Sequence, residues 1–516
     1  MTLGFQNPII PGFNPDPDIL RTGDDYFIVT STFEFFPGIP IYHSKDLVNW
    51  TTIGHAYNRP SQLNMRGTAP SAGLWAPTLR YNKGYYYLST TWYDIIQNPD
   101  NTTRIPRSIR LPVATALTLS ALSDPVYIDQ WGFDPDLFFD DDGKRFGHPD
   151  AGKFSLYTAE IDIETGDSLT ESVLNFNSPL EPNSRLAEGS HIYKFNGTYY
   201  LLVAEAGTNI GHRVTNYRSK VGPFGPWDPS PYNPLVYNGH NTSLPILSTG
   251  HSGIVETPQG DCGRAQLGRE TFMAPMKWLD DGWFTINDGK DITIDMPGLY
   301  NLEVPKVWKD EFKGGFADKN YYTVRTPRRD RHQRQHLQPE RRETAACFFR
   351  KQSEISTTFS TKLKFSPTSP RHEAGLTIYL SIFFHDEIGL TMNPSTNKTA
   401  IFTKTRTGDL AVENTTFVDL PDGTDEALLY IEARPDRYNF GYAIGTDAPK
   451  YITTVQNKWL ASKIDGWSGN FVGTHFGFYA TSNGLPMLQK AVCAVSSRVR
   501  EHYFSQAVSA LFPYSN

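Results

Sequence analysis

Apolar residues in this chain come in short, strand-length bursts separated by polar turns. Through roughly the first 300 residues one hairpin signature recurs: a turn glycine beside Asp or Asn, followed in the clear copies by an aromatic-rich run. The clear copies are Thr22-Gly23-Asp24-Asp25-Tyr26-Phe27-Ile28-Val29, Asn82-Lys83-Gly84-Tyr85-Tyr86-Tyr87-Leu88 and Asn196-Gly197-Thr198-Tyr199-Tyr200-Leu201-Leu202. Asp142-Gly143-Lys144 is shorter and Gln259-Gly260-Asp261 is faint. These glycines stand 61, 59, 54 and 63 residues apart. Tight hairpin turns need positive φ, which glycine adopts without steric cost. A period of about 60 with no strong helical runs predicts one four-stranded propeller blade per repeat, five in all. Beyond Asn301-Leu302-Glu303-Val304-Pro305 the pattern becomes regular alternation, as in Phe359-Ser360-Thr361-Lys362-Leu363-Lys364-Phe365 and Ala427-Leu428-Leu429-Tyr430-Ile431-Glu432-Ala433. Alternating strands between turn residues predict a β-sandwich. The expected fold is all-β: a five-bladed β-propeller over residues 1–304, then a β-sandwich over residues 305–516.

The strand leading into each hairpin should be the innermost of its blade and line the central channel. Nine residues before four of the glycines stand Trp75, Asp134, Glu188 and His251; seven before the first stands Asp16. Each adjoins a Pro or Gly break, as in Pro15-Asp16-Pro17, Trp75-Ala76-Pro77, Asp134-Pro135, Glu188-Gly189 and Gly250-His251. One acid at a strand start is ordinarily a turn former. Five polar or aromatic residues in register across five blades point instead to a shared site on the channel axis. Three carboxylates in an aromatic-walled pocket suit hydrolysis of a glycosidic bond. One carboxylic acid protonates the leaving oxygen while a carboxylate activates water on the opposite face of the ring. A third, beside the acid, keeps it protonated through like-charge repulsion. Trp75 would offer a flat face to a pyranose or furanose. A metal centre is the competing use of three acids and a histidine, but the flanking Trp75 and Phe133 bring no oxygen ligand, and no metal-binding residue is assigned.

Composition narrows the picture. A length of 516 residues exceeds a single ordinary core, which stops growing near roughly 250–300 residues. The 32 Phe, 27 Tyr and 10 Trp suit pleated sheet and sugar-binding ring faces alike. With 48 Lys+Arg against 55 Asp+Glu the chain carries −7 and lacks the basic excess of a nucleic-acid binder. Cys262, Cys347 and Cys493 are too few and scattered for a disulfide framework or zinc site and read as inert thiols. Nothing approaches 18 consecutive apolar residues, so no membrane span is expected. The start, Met1-Thr2-Leu3-Gly4-Phe5-Gln6-Asn7-Pro8, has neither the basic nor the apolar region of a secretory signal. The expected location is cytoplasmic, or secreted if the N-terminus is truncated, and six Asn-x-Ser/Thr sequons are discounted.

Several runs together resemble glycoside hydrolase family 43. They are Asn7-Pro8-Ile9-Ile10-Pro11-Gly12-Phe13-Asn14-Pro15-Asp16-Pro17-Asp18, Ser31-Thr32-Phe33-Glu34-Phe35-Phe36-Pro37-Gly38 and Ile41-Tyr42-His43-Ser44-Lys45-Asp46-Leu47-Val48-Asn49-Trp50. Leu74-Trp75-Ala76-Pro77, Trp131-Gly132-Phe133-Asp134-Pro135, Ala187-Glu188-Gly189-Ser190-His191 and Leu267-Gly268-Arg269-Glu270-Thr271 continue the likeness. It is strongest to the branch of β-xylosidases and α-L-arabinofuranosidases, whose propeller is followed by a concanavalin-like, jelly-roll sandwich. The resemblance implies an inverting exo-glycosidase acting on xylo- or arabino-oligosaccharides, with no nucleic-acid or membrane partner. It implies Asp16 as general base, Glu188 as general acid and Asp134 as the carboxylate that tunes and orients Glu188. Arg269 matches an arginine that contacts sugar hydroxyls or the acid; Phe33, Trp75 and Phe133 match subsite walls, and His251 the channel histidine. Phe471 resembles the sandwich residue that closes the pocket. Asp18 and Asp136 stand where the family commonly has Ser and take no catalytic role. No cofactor is required, although some members hold a structural Ca²⁺.

The likeness lapses at residues 104–121, 144–152, 327–347 and 490–516, and resumes on both sides of the internal stretches. Lys144-Arg145-Phe146-Gly147-His148-Pro149 is expected to continue an inner-blade strand poorly, and Cys262-Gly263-Arg264 runs almost directly into Gln266-Leu267-Gly268-Arg269. Such segments have the look of mis-spliced or out-of-frame sequence. They predict damage to the third and fifth blades, and with it the alternative of a catalytically impaired sugar-binding member. The arginines 325, 328, 329, 331, 334, 341 and 342 read as a solvated loop rather than a nucleic-acid patch.

Overall fold

The computed structural model describes residues 4–93, 107–113, 123–141, 145–150, 155–180, 186–255, 261–265, 269–298, 307–310, 319–325, 346–408, 412–461, 471–485, 487, 489 and 491–500. Among them there is no α-helix. Four antiparallel sheets follow one another as four-stranded blades, beginning with the inner strands Asp18–Thr22, Gly73–Asn82, Phe133–Phe139 and Glu188–Phe195. A fifth sheet contains Asp261–Ala265, Glu270–Trp278 and Phe284–Ile286. The N-terminal segment returns to this fifth blade: Gly4–Gln6 pairs with Asp295–Pro297 and Ile10 bridges Thr271. Inner strands of adjacent blades pack side by side from the first to the fourth. The chain thus forms the five-bladed propeller that its glycine period predicts. Gly23, Gly84 and Gly197 take positive φ (63°, 89° and 77°) at the hairpin tips, while Gly143 and Gly260 lie outside the described residues.

Two six-stranded antiparallel sheets make the sandwich. The strand Glu426–Arg434 buries every second residue, as its alternating sequence requires. The apolar cluster between the sheets runs on through Tyr322 into Phe35, Phe33 and Phe13 of the propeller. Phe35 stacks on His475 of the sandwich with ring centroids 4.0 Å apart, so the two regions share one core beside the first blade.

Several suspect stretches are ordinary strands. Arg145–Asp150 is the second strand of the third blade, paired on both sides. Pro149, the proline of that run, has no partner in either ladder and lies across from a bulge between Phe133 and Asp136. A bulge leaves the ladder open where proline has no N–H to give. Asp261–Ala265 forms a hairpin with the strand Glu270–Trp278. Arg107–Val113 is an internal strand of the second blade, and Val492–Arg500 one of the sandwich. Arg325 is buried, not solvated: its N–H donates to the carbonyl of Glu34 at 2.6 Å and its Nε to that of Thr68 at 2.7 Å. The arginines from 328 to 342 lie outside the described residues.

Candidate active site

At or just before the inner strand of each of the first four blades, and at His251 ahead of the fifth sheet, stands one residue in the left-handed region. These are Asp16 (φ 52°), Ala76 (39°), Asp134 (58°), Gly189 (53°) and His251 (55°). The sequence count therefore needs a correction of one residue in two blades. Trp75 and Glu188 precede the turned residue and share the place of Phe133, each at the first position of a ladder bulge. A left-handed non-glycine residue costs on the order of 1–3 kcal/mol and persists where its surroundings over-determine it.

Asp16 is held at both oxygens. Arg269 donates to Oδ1 through a guanidinium nitrogen, and the Ser31 hydroxyl donates to Oδ2 at 2.7 Å. The same Ser31 oxygen accepts the N–H of Ala76 at 2.6 Å, tying the first blade to the second. Asp134 is fixed from two sides: its N–H donates to Thr91 Oγ1 at 2.9 Å, and the Gly189 N–H donates to its Oδ2 at 3.0 Å. Gly189 follows Glu188, so this bond sets the third carboxyl beside the fourth-blade acid. His251 lies between the two aspartates, its Nδ1 3.6 Å from Asp16 Oδ1 and 3.9 Å from Asp134 Oδ2. Gly189 is required for that approach, because a Cβ there would stand 2.6 Å from His251 Nδ1.

Burial, with the repulsion of Glu188 and Asp16, pushes the Asp134 carboxyl well above its ordinary 3.8; the Gly189 N–H and Arg269 only partly oppose this. Within the cluster, Asp134 thus keeps its proton to a higher pH than an isolated aspartic acid would. Aromatic rings wall the site. Phe33 lies 5.6 Å from Trp75 and 6.4 Å from Phe471, and Trp75 lies 6.4 Å from Phe133. The Arg269 guanidinium sits 5.3 Å from the centre of the Phe33 ring. Phe471 arrives from the sandwich, its N–H donating to Ser71 Oγ at 2.9 Å, and remains 37% exposed above the pocket.

All nine sequence-derived residues meet at this end of the channel, and Arg269 is on Asp16. Sequence reasoning missed the residues that hold them: Ser31, Thr91, Ser71, and Tyr93, whose ring stacks on Trp75 at 4.1 Å. Thr91 is directly opposite Trp75 in the ladder, so pairing each inner strand with its hairpin partner could have found it. One level deeper, Asp18 and Asp136 are fully buried and bridged by Arg80 at 2.7 and 2.5 Å. Calcium takes roughly six to eight oxygen ligands. Among the described residues no three His, Cys, Asp or Glu side chains form such a nest.

Residues 5–284 match glycosyl hydrolases family 43, and residues 309–492 match the concanavalin A-like C-terminal domain of β-xylosidases. A non-reducing end α-L-arabinofuranosidase of Bacteroides ovatus is 33% identical, the match covering 93% of this chain and 92% of the relative. A xylosidase/arabinosidase of Humicola insolens is 35% identical over 72% of this chain and 74% of its own. The crystal structure of a xylan β-1,4-xylosidase from Bacillus halodurans superimposes with a TM-score of 0.86 at 27% identity, covering 96% of this chain and all of that one. The carboxylate-lined channel of the propeller and the sandwich beside it are thus those of a glycoside hydrolase, and the chain belongs to glycosyl hydrolases family 43.

Proposed function

We propose that this chain is an inverting exo-glycosidase that releases terminal xylose from short β-1,4-xylo-oligosaccharides, with terminal α-L-arabinofuranosides as its other substrate. The observation that carries the reading is the placing of Asp16, Asp134 and Glu188 at one end of the channel, under a ring wall that Phe471 caps. Asp16 acts as base on a water, and its anchoring by Arg269 and Ser31 fixes the direction of attack. Glu188 protonates the leaving oxygen from the opposite side, which is the division of labour of an inverting pair. Asp134, whose bond to the Gly189 N–H orients the neighbouring Glu188, holds the cluster's proton in reserve. A capped pocket favours a chain end over a chain middle, hence exo action. The relatives carry xylosidase and arabinofuranosidase names, which is why both sugars stand here.

The test is a panel of nitrophenyl β-D-xyloside and α-L-arabinofuranoside, with proton NMR following the anomer first released. Turnover of the xyloside with α-xylose appearing first is the expected result. First release of β-xylose would replace inversion with retention. A folded protein that turns over neither glycoside would remove the enzymatic reading altogether.

A further inference from the structure

Lys351 ends a sandwich strand, Ala346–Lys351, yet its amine reaches into the propeller. It donates to Asn14 Oδ1 at 2.7 Å and to the Tyr42 hydroxyl at 3.3 Å, and Tyr42 donates in turn to the same Asn14 oxygen at 2.5 Å. The rings of Tyr322, Phe13 and Tyr42 lie 5.1, 6.0 and 6.0 Å from the amine. Among the described residues it makes no ion pair with a carboxylate. Burial draws it down to about 7. A desolvated amine held only by neutral oxygens and ring faces contributes little as a surface charge; its contacts must be sought in what Asn14 does.

Asn14 is buried and tied on every side. Its Nδ2 donates to the carbonyls of Pro11 and Gly12 at 3.1 and 3.3 Å, closing the turn that precedes the base. Its N–H donates to the carbonyl of Arg269 at 2.8 Å, and its own carbonyl accepts from Thr271 Oγ1 at 2.8 Å. Two residues on, Asp16 accepts the Arg269 guanidinium. Asn14 therefore anchors both halves of the Asp16–Arg269 pair, and its amide faces the right way only while Oδ1 has donors in front of it. Gly12, in the same turn, lies so close to the sandwich that a Cβ would stand 2.6 Å from the Gln352 carbonyl oxygen.

We propose that Lys351 is a positioning residue through which the sandwich, by way of Asn14, holds Asp16 and Arg269 in their working geometry. The inference rests on the reading of Asp16 as the base. Lys351 is separate from the ring wall that would grip the sugar, so its loss should act on turnover and spare substrate affinity.

A cavity of about 200 Å³ adjoins the amine, lined among others by Ile9, Asn14, Tyr42, Trp50 and Tyr322, and it makes the test specific. Lys351→Ala should lower kcat on a nitrophenyl xyloside by on the order of 10–100-fold, the scale of a small misplacement of a reacting group. KM should stay within about two-fold. Added butylamine, entering by the cavity, should restore a substantial part of kcat, and butanol of nearly equal size should not. Should K351A fail to fold, Lys351→Met keeps the alkyl packing and is read against Asn14→Ala. Losses that do not add in the double variant support the proposal as rescue does. A K351A or K351M protein with kcat within about two-fold of the parent overturns the proposal. So does a loss that butanol repairs as well as butylamine, or losses in K351M and N14A that simply add. A parent protein inactive on every glycoside would instead sink the reading of Asp16 as base, so the two failures are told apart.

Discussion

Asp16-Pro17-Asp18 in the first blade and Asp134-Pro135-Asp136 in the third set the same three residues at two levels of one channel. At the upper level Asp16 and Asp134 have a left-handed backbone, and burial with the repulsion of its neighbours raises Asp134. At the lower level Asp18 and Asp136 run in regular strand. Burial would raise Asp136 as well, but the Arg80 charge and bonds from His191 and the Ile192 N–H hold it below its ordinary value. Asp18 takes the Leu79 N–H of the next blade and Asp136 that of Ile192, so the lower pair stitches four blades together. Burial is shared, and each level holds a guanidinium: Arg269 bonds only one aspartate of the upper pair, whereas Arg80 bridges both of the lower.

The largest effects should separate the levels cleanly. Asp16→Ala should cut kcat by roughly 10⁴-fold, the upper range for a lost general base. Its thermal unfolding should fall less than that of an Arg80 variant, because the Arg269 guanidinium it leaves without a carboxylate is partly exposed, whereas Asp18 and Asp136 are fully buried. Arg80→Met should do the reverse. It leaves two buried aspartates without their cation, which costs about 3–5 kcal/mol of stability. Denaturant unfolding of the two proteins checks both statements. An Arg80 variant as stable as its parent would erase the distinction between the levels.

The two levels should also answer pH with opposite signs. Asp136 has a folded pKa below 3.8, so its contribution is complete above that value and is lost as pH falls through the folded pKa. Asp134 has a folded pKa above 3.8, so the native state binds more protons than the unfolded chain just above that value. Its contribution is present below 3.8 and lost as pH rises toward the folded pKa. Unfolding free energy measured across this range should fall less steeply with rising pH in Asp134→Asn than in the parent. Asp136→Asn should flatten the acid side instead. Variants that shift the profile in the same direction would show that one electrostatic environment serves both levels.

How much of this was legible depended on range along the chain. Glycine spacing exposed the blades because a hairpin tip is a local demand, and Thr357–Lys364 and Glu426–Arg434 announced the sandwich by alternation alone. The acids were found because in three of the five repeats they stand at nearly the same place ahead of the turn glycine. The one-residue offset at Trp75 and Glu188 was hidden, since a bulge changes register without changing composition. The run Lys144–Pro149 misled for the same reason, since its proline falls where the ladder is open. Long-range partners left no local trace: Lys351 and Asn14 are 337 residues apart, and Phe471 and Ser71 are 400 apart. The Arg80 bridge was equally invisible, because nothing near Arg80 in sequence says that two other blades each supply an aspartate to it.

Phe471 belongs to neither level and measures how much the cap adds to the upper one. Its backbone is pinned to Ser71, whose own N–H donates to the buried Glu34 at 2.9 Å, so the loop position is set by the propeller. The side chain is 37% exposed and touches Phe33 and Trp75 by ring contact only. Phe471→Ala leaves no buried charge and no closed cavity, and stability should hardly move. What it removes is one ring face over the sugar, worth about 1 kcal/mol for an aromatic contact, or roughly five-fold in kcat/KM. The loss should fall mainly on KM, since the ring grips the substrate before and during the reaction alike. It should also be smaller on a longer xylo-oligosaccharide than on a nitrophenyl xyloside if units beyond the terminal sugar find other walls. A Phe471 variant with unchanged KM and a large fall in kcat would mean that the sandwich ring acts on the carboxylates themselves, and the upper level would then extend across the junction between the two regions.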